Sequence, residues 1–398
     1  MLTVIAGGVV LTGDGRTVLP GGAVLVRDER IEAIVPRWPA GAAADVVVDA
    51  TAAVVMPGLI NCHTHGVTPG PLFPSGAAAL PPQRWLGNLD RHLLAGTTTV
   101  LNLCGLATMA EVQAADRAHA VKVKGATSHV PAAIRAALAA DGGGLTEVHT
   151  QATVESMLAE GAVAIGELGG GQTMGGGGQD LHSIPDAVHR ATGVRISAEQ
   201  ARGLKEAALG RHLDPAGVGP TGAGSAGEDP DALRHGLLDA GLAGLLTGAD
   251  AVSLIAGTVL PSLGPARDGL REGVAAAVRY GAPALVHSAA ASAGTLREIA
   301  ARYAGASAPV IATHCNHTSF TPDEAVSVAK EFAAAGWRLE CSTFDLLHRR
   351  HTVSTREHWD GLFAEPDLIT LLATDYGYQG EHDPLIAGIE DLVQQGHR

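Results

Sequence analysis

The chain has 398 residues, 46% of them hydrophobic, which is enough to bury a large core and points to one large domain plus a small accessory one. Its formal charge is −14, from 27 Lys+Arg against 41 Asp+Glu, so repulsion from phosphate backbones and anionic lipid excludes nucleic acid and membrane surfaces as expected partners. Four scattered cysteines (Cys62, Cys104, Cys315, Cys341) exclude a disulfide framework and a Cys-x-x-Cys zinc site, and Met1-Leu-Thr-Val-Ile-Ala lacks the marks of a secretory signal, so a soluble cytoplasmic protein acting on a small molecule is expected, with a homo-oligomer compatible.

Residues 1–56 read as short β segments at Thr3–Leu11, Ala23–Arg27, Ile31–Val35 and Val46–Asp49, separated by Gly-Asp-Gly and Pro-Gly-Gly turns. This predicts a small β-sandwich-like accessory domain or half of one. From residue 57 to 398 the pattern is α/β: short apolar strands alternate with Ala-rich helical stretches. Eight strands are predicted: Val54–Asn61, Thr97–Cys104, Val121–Thr127, Ala162–Leu168, Ala284–Ser288, Val310–His314, Arg338–Thr343 and Leu368–Asp375. Eight parallel strands predict a (β/α)8 barrel of the TIM type, with its site at the C-terminal ends of the strands.

Between the fourth and fifth strands the chain is far longer than a normal crossover, which marks an insertion at about 169–265 over the barrel mouth. It contains the glycine-rich run 169–178 and a Gly/Pro/Ser-rich stretch at 215–230. Ser197-Ala-Glu-Gln200 predicts a capping box opening a helix to about Leu213, and Asp268–Tyr280 predicts the helix leading into strand five. No apolar run reaches transmembrane length.

His63-Thr-His65 ends the first barrel strand, and strand alternation turns both imidazoles to one face, where they can reach one ion. With 18 histidines in the chain, about 0.8 such pairs arise by chance, so position carries the weight. Four further strands end in a ligand-type residue: Glu167 on strand four, His287 on strand five, His314 on strand six and Asp375 on strand eight. Polar residues capping apolar strands at one end of a barrel are explained together by a shared metal site. His317 is the alternative to His314, which is preferred as ligand because it directly ends the strand; His317 then serves proton transfer or substrate. Tyr376, Tyr378, His129 and His182 are further substrate-side candidates, and Cys104 ends strand two as a small buried thiol.

In Pro57-Gly-Leu-Ile-Asn-Cys-His63-Thr-His65, in His287 and His314 on successive strands, and in Thr374-Asp375 on the last, the chain resembles the amidohydrolase superfamily over most of its length. The resemblance implies a hydrolase using one or two divalent metals, usually zinc, on amides, lactams and other cyclic amides. His63, His65 and Asp375 would hold the more buried ion, and His287 and His314 the second. Many members bridge the ions with a carboxylated lysine at the end of strand four; here Glu167 stands there, and its carboxylate is the expected bridge. A metal-bridging hydroxide would attack, with Asp375 as proton shuttle. The imidazole and carboxylate donors suit zinc, with manganese or iron as alternatives. Some members carry a metal-binding cysteine where Cys104 stands. Members that deaminate nucleobase-like rings with one metal place a glutamate soon after the strand-five histidine, and here no acid follows His287 until Glu298. A non-catalytic barrel would show lost ligands, and none is missing. Relatives usually continue past strand eight with helices and strands that complete the small β domain, whereas 23 residues (398 − 375) follow Asp375, so the accessory domain is expected to be either reduced or completed another way.

Overall fold

Runs of β-branched residues in the opening segment pair as two small sheets. The computed structural model describes the chain apart from residues 40, 175, 177, 214–228, 344–353, 376–384 and 398, and it divides into two units, Met1–Leu59 and Ile60–Arg398. In the first unit the strands are β1 (Leu2–Ala6), β2 (Val9–Leu11), β3 (Val18–Pro20), β4 (Ala23–Arg27), β5 (Arg30–Val35), β6 (Val46–Asp49) and β7 (Val54–Val55). They form a four-stranded sheet, β5-β4-β1-β6, and a three-stranded sheet, β3-β2-β7. The single segment expected at Thr3–Leu11 is two strands in different sheets. Gly7 turns the chain at φ +94°, and a Cβ on Gly8 would lie 2.5 Å from the Ala50 carbonyl oxygen, so the crossing needs glycine.

The second unit carries eight parallel strands in sequence order: β8 (Leu59–Thr64), β9 (Thr97–Asn102), β10 (Lys122–Thr127), β11 (Ala164–Leu168), β12 (Ala284–His287), β13 (Val310–Thr313), β14 (Arg338–Ser342) and β15 (Leu371–Ala373). Strand one starts later than the sequence predicts. Val54-Val55 pairs with β2 in the small sheet, and Pro57, lacking an N–H, separates that pairing from the barrel. β11 and β12 are buried at every position, which is why they read as apolar runs and not as alternating ones.

The last strand meets the first through specific bonds. Asp375 N–H donates to the His63 carbonyl at 3.0 Å. The Asn61 carboxamide donates to the Thr374 hydroxyl at 2.6 Å and accepts from the Thr374 N–H at 3.2 Å. The result is the expected (β/α)8 barrel, and the same contacts place His63 beside Asp375.

Between β11 and β12 lie a π-helical turn, Gln179–Ser183, and helices Ile184–Thr192, Ala198–Leu209, Pro230–Asp239 and Gly248–Tyr280. The Ser197–Gln200 capping box is present, and its helix ends at Leu209, before Gly210. The 215–230 stretch lies almost wholly outside the described residues. The helix expected at Asp268–Tyr280 instead begins at Gly248, under a Thr247–Asp250 capping box, and passes through Pro261 and Pro265. Each proline removes a helical hydrogen bond. Burial of Val252, Ile255, Val259, Leu263, Leu270 and Val274, on a helix that packs against Pro131–Ala140 and β11, outweighs that loss. Among the described residues this helix alone is long and apolar enough to cross a bilayer, and that buried face accounts for its apolar character.

Because Asn61 closes the barrel with buried hydrogen bonds, Asn61→Ala should lower stability by about 1–3 kcal/mol. Urea unfolding followed by circular dichroism would show a lower midpoint at unchanged slope; an unmoved midpoint would place the closure elsewhere.

Candidate metal centre

Six side chains from five strand ends converge above the barrel. His63, His65, Glu167, His287 and His314 are buried, whereas the Asp375 side chain is 27% exposed. Their ligand atoms form three overlapping trios, each within 4.8 Å: His63/His65/Glu167, His63/His314/Asp375 and Glu167/His287/His314.

The two oxygens of Glu167 face different partners. Oε2 lies 3.9 Å from His63 Nε2 and 3.8 Å from His65 Nε2. Oε1 lies 2.6 Å from His287 Nδ1 and 3.5 Å from His314 Nε2. Asp375 Oδ1 approaches His65 Nε2 at 3.1 Å and His63 Nε2 at 3.4 Å, and its Oδ2 lies 3.9 Å from His314 Nε2.

Local backbone aims these groups. His314 and Asp375 adopt φ of +57° and +51°, a left-handed conformation that side chains with a Cβ rarely take. Such residues persist where surrounding bonds over-determine them, and Asp375 N–H is held by the His63 carbonyl. The glycine-rich run lies against the cluster: a Cβ on Gly170 would come within 2.9 Å of Glu167 Oε2, and one on Gly176 within 3.1 Å of His287 Nε2. The same Cβ atoms would lie 2.5 Å from Pro74 Cγ and from Gly171 Cα, so glycine suits both positions.

Electrostatics fit a cation. Burial raises the Glu167 carboxyl's pKa, yet His287, His314 and His63 together hold it well below the usual range. Burial lowers His314, but Asp375, Glu167 and Glu340 pull it up to about 10. Burial likewise disfavours a charged His65, and its hydrogen bond to Asp375, with Cys104 adding, lifts it well above the ordinary value. His63 Nε2 is fully buried without a hydrogen-bond partner. An orphaned imidazole nitrogen among carboxylates, in an all-nitrogen-and-oxygen donor set, fits a divalent ion.

The remaining candidates separate. His317 packs its ring 5.3 Å from His287 and 6.2 Å from His314 and sits outside the three trios, so His314 is the strand-six member of the cluster. Its Nδ1 meets Ser319 Oγ at 2.8 Å, and burial, then His287 and His314, hold its pKa well below normal. Cys104 Sγ sits 3.5 Å from His65 Nδ1, behind the ring and away from the convergent Nε2. His129 bonds Thr127 Oγ1 at 2.9 Å and touches none of the six among the described contacts. His182 lines a cavity of about 170 Å³ with Gln172, Ser75 and Phe73, whose ring contacts His65. Tyr376 and Tyr378 lie outside the described residues.

Reading strand ends passes over residues held elsewhere. Glu340 lies inside β14, fully buried, and reaches His63; the available signal was an acid within an apolar strand. Arg202 and Lys205, on the insertion, both lower the His317 pKa by their charge, and Arg202 donates to the Thr318 carbonyl. Nothing in sequence spacing links them to strand six.

The chain matches no protein-family model. A segment of 71 residues, 17% of the chain, is 39% identical to a 5-methylthioadenosine/S-adenosylhomocysteine deaminase from Moorella thermoacetica, and spans only 16% of that protein. Among solved structures, a prolidase complexed with N-methylphosphonate-L-proline superposes with a TM-score of 0.50 at 15% identity, over 96% of this chain and 80% of its own. An L-hydantoinase from Arthrobacter aurescens gives 0.46 at 13% identity, over 94% and 68%. The prolidase likeness establishes a shared fold, and at that level bears out the resemblance read from the sequence.

With His65 and His314 held protonated in the metal-free cluster, an entering ion must displace their protons. Both values lie above the ordinary one, so the competition weakens as pH rises toward about 10, the His314 value. Calorimetric zinc titrations near neutral pH in buffers of different ionisation enthalpy should show net proton release and affinity increasing with pH; proton-neutral binding would contradict protonated imidazoles at His65 and His314.

Proposed function

We propose that this chain is a metal-dependent member of the amidohydrolase superfamily that hydrolyses a C–N bond in a small amide, lactam or other cyclic amide. The observation that carries this reading is the division of Glu167, one oxygen toward His63 and His65 and the other toward His287 and His314, which would let its carboxylate serve two ions. On this reading His63, His65 and Asp375 hold one ion, His287 and His314 the other, and zinc suits the donors best, with manganese or iron as alternatives. When bound, the metals acidify water and polarise the substrate carbonyl.

The chain's own residues supply the rest. Asp375 is partly exposed, ionised and within 3.1 Å of His65, so it can accept a proton from the attacking water and return it to the leaving nitrogen. His317 stays neutral beside the cluster and offers a hydrogen-bond partner to substrate. The acidic charge balance agrees with a cytoplasmic enzyme acting on small molecules.

Ring deamination is the second reading, favoured by the short match to a deaminase. It needs an acid after the strand-five histidine to protonate the ring. The first acid there, Glu298, pairs with Arg271 on the surface at 2.9 Å, with 53% of its side chain exposed, and so cannot serve.

Prolonged chelation should abolish turnover on lactams, hydantoins or N-acyl amino acids, and metal add-back should restore it; full activity in metal-free protein would refute the proposal. Metal analysis should find about two ions per chain, falling toward one in Glu167→Gln, because only one ligand set stays complete. Content unchanged between the two proteins would remove the bridge.

Asp375→Asn should lower kcat by about 100-fold or more, the usual contribution of a general acid–base group, with a smaller change in KM. Near-normal turnover would transfer the proton role to His317.

A further inference from the structure

Strand β14 contributes none of the six ligands, yet it carries the fully buried acid Glu340. A carboxylate without solvent is costly unless its oxygens are engaged. Oε1 has no hydrogen-bond partner among the described residues, so the engagement falls on Oε2, which meets His63 Nδ1 at 3.3 Å and the backbone N–H of His314 at 3.2 Å. These belong to ligands on β8 and β13, which are not neighbours in the sheet, so one carboxylate oxygen ties two ligand strands together.

Each contact has a chemical consequence. A carboxylate oxygen only accepts, so the contact calls for a ring proton on His63 Nδ1. Nε2, which has no hydrogen-bond partner, then points its lone pair into the cluster beside Glu167 and Asp375. At His314 the bonded N–H belongs to a residue at φ +57°, so the same oxygen also braces a backbone conformation that would otherwise relax.

We infer that Glu340 is a positioning residue of the metal centre: it sets the His63 tautomer and braces His314, so that both rings present ligating nitrogens. The inference rests on the metal-centre reading above, and it concerns an acid that would itself touch neither metal nor substrate.

The test uses full-length protein and two variants. Glu340→Met keeps the volume and removes the acceptor; Glu340→Gln keeps an acceptor oxygen and removes the charge. Zinc affinity is measured by competition with a chromophoric chelator, and the His63 tautomer by long-range proton–nitrogen spectra of the metal-free protein, assigned through the signal lost in His63→Gln. Glu340→Met should bind zinc about 10–100-fold more weakly, the usual effect of removing such an outer partner, and should shift His63 toward the Nε2-protonated form. Glu340→Gln should recover part of both. A purely structural role would lower Tm while leaving tautomer and zinc affinity untouched, and that result in folded Glu340→Met overturns the inference. Should Glu340→Met fail to fold, Glu340→Gln decides, with unchanged zinc affinity as the overturning result. If the wild type binds no zinc, the metal-centre reading falls as well; if it binds and the variants bind equally, only the role of Glu340 falls.

Discussion

Glu167 is buried in the barrel mouth with its carboxyl held ionised, and the rest of the site is arranged around that requirement. A carboxylate with almost no exposed surface needs opposing partners at close range, and here four imidazoles stand within 4 Å of its two oxygens. Those imidazoles come from β8, β12 and β13 and the residues that follow them, so the arrangement exists only if the sheet closes into a barrel. The bonds between Asn61 and Thr374, and between Asp375 and His63, therefore belong to the chemistry as much as to the fold.

Closure alone would leave the ligands loosely aimed. His314 and Asp375 take left-handed backbone conformations, and each is braced by a bond to another ligand's strand or to Glu340. Behind the rings, Cys104 meets His65 Nδ1 and Glu340 meets His63 Nδ1, so the outward nitrogens of the His-x-His pair have partners opposite the cluster. In front, Gly170 and Gly176 bring bare backbone against Glu167 and His287. Partners behind and close backbone in front hold the cluster in the preorganised form that a metal site would need.

The insertion between β11 and β12 brings cationic side chains toward strand six. Lys205 pairs with the buried Asp180 at 2.5 Å, and Arg211 bonds Glu324 and the Ser319 carbonyl, next to His317. The Arg211 bonds, with that of Arg202 to the Thr318 carbonyl, fasten the insertion to the segment after strand six, and the charges of Arg202 and Lys205 help to hold the His317 pKa low. In α/β barrels the loops after the strands select the substrate, and here the longest of them also shapes the electrostatics of a candidate substrate contact.

The parallel barrel, the ligand type at five strand ends and the helix at Ser197 were legible in the chain because each depends on local order: apolar runs of strand length, a polar residue where a run stops, a capping pair three residues apart. The same local rules found only the second part of the Gly248–Tyr280 helix, since a proline signals a break wherever tertiary packing is not there to override it, and they joined β1 to β2, because a change of sheet leaves no mark except two glycines. Which oxygen of Glu167 faces which histidine, the role of Glu340 within β14, and the approach of Arg202 and Lys205 to His317 belonged to the tertiary structure alone. Each joins residues that barrel closure or the insertion brings together from distant parts of the chain, and sequence spacing carries no record of such distances.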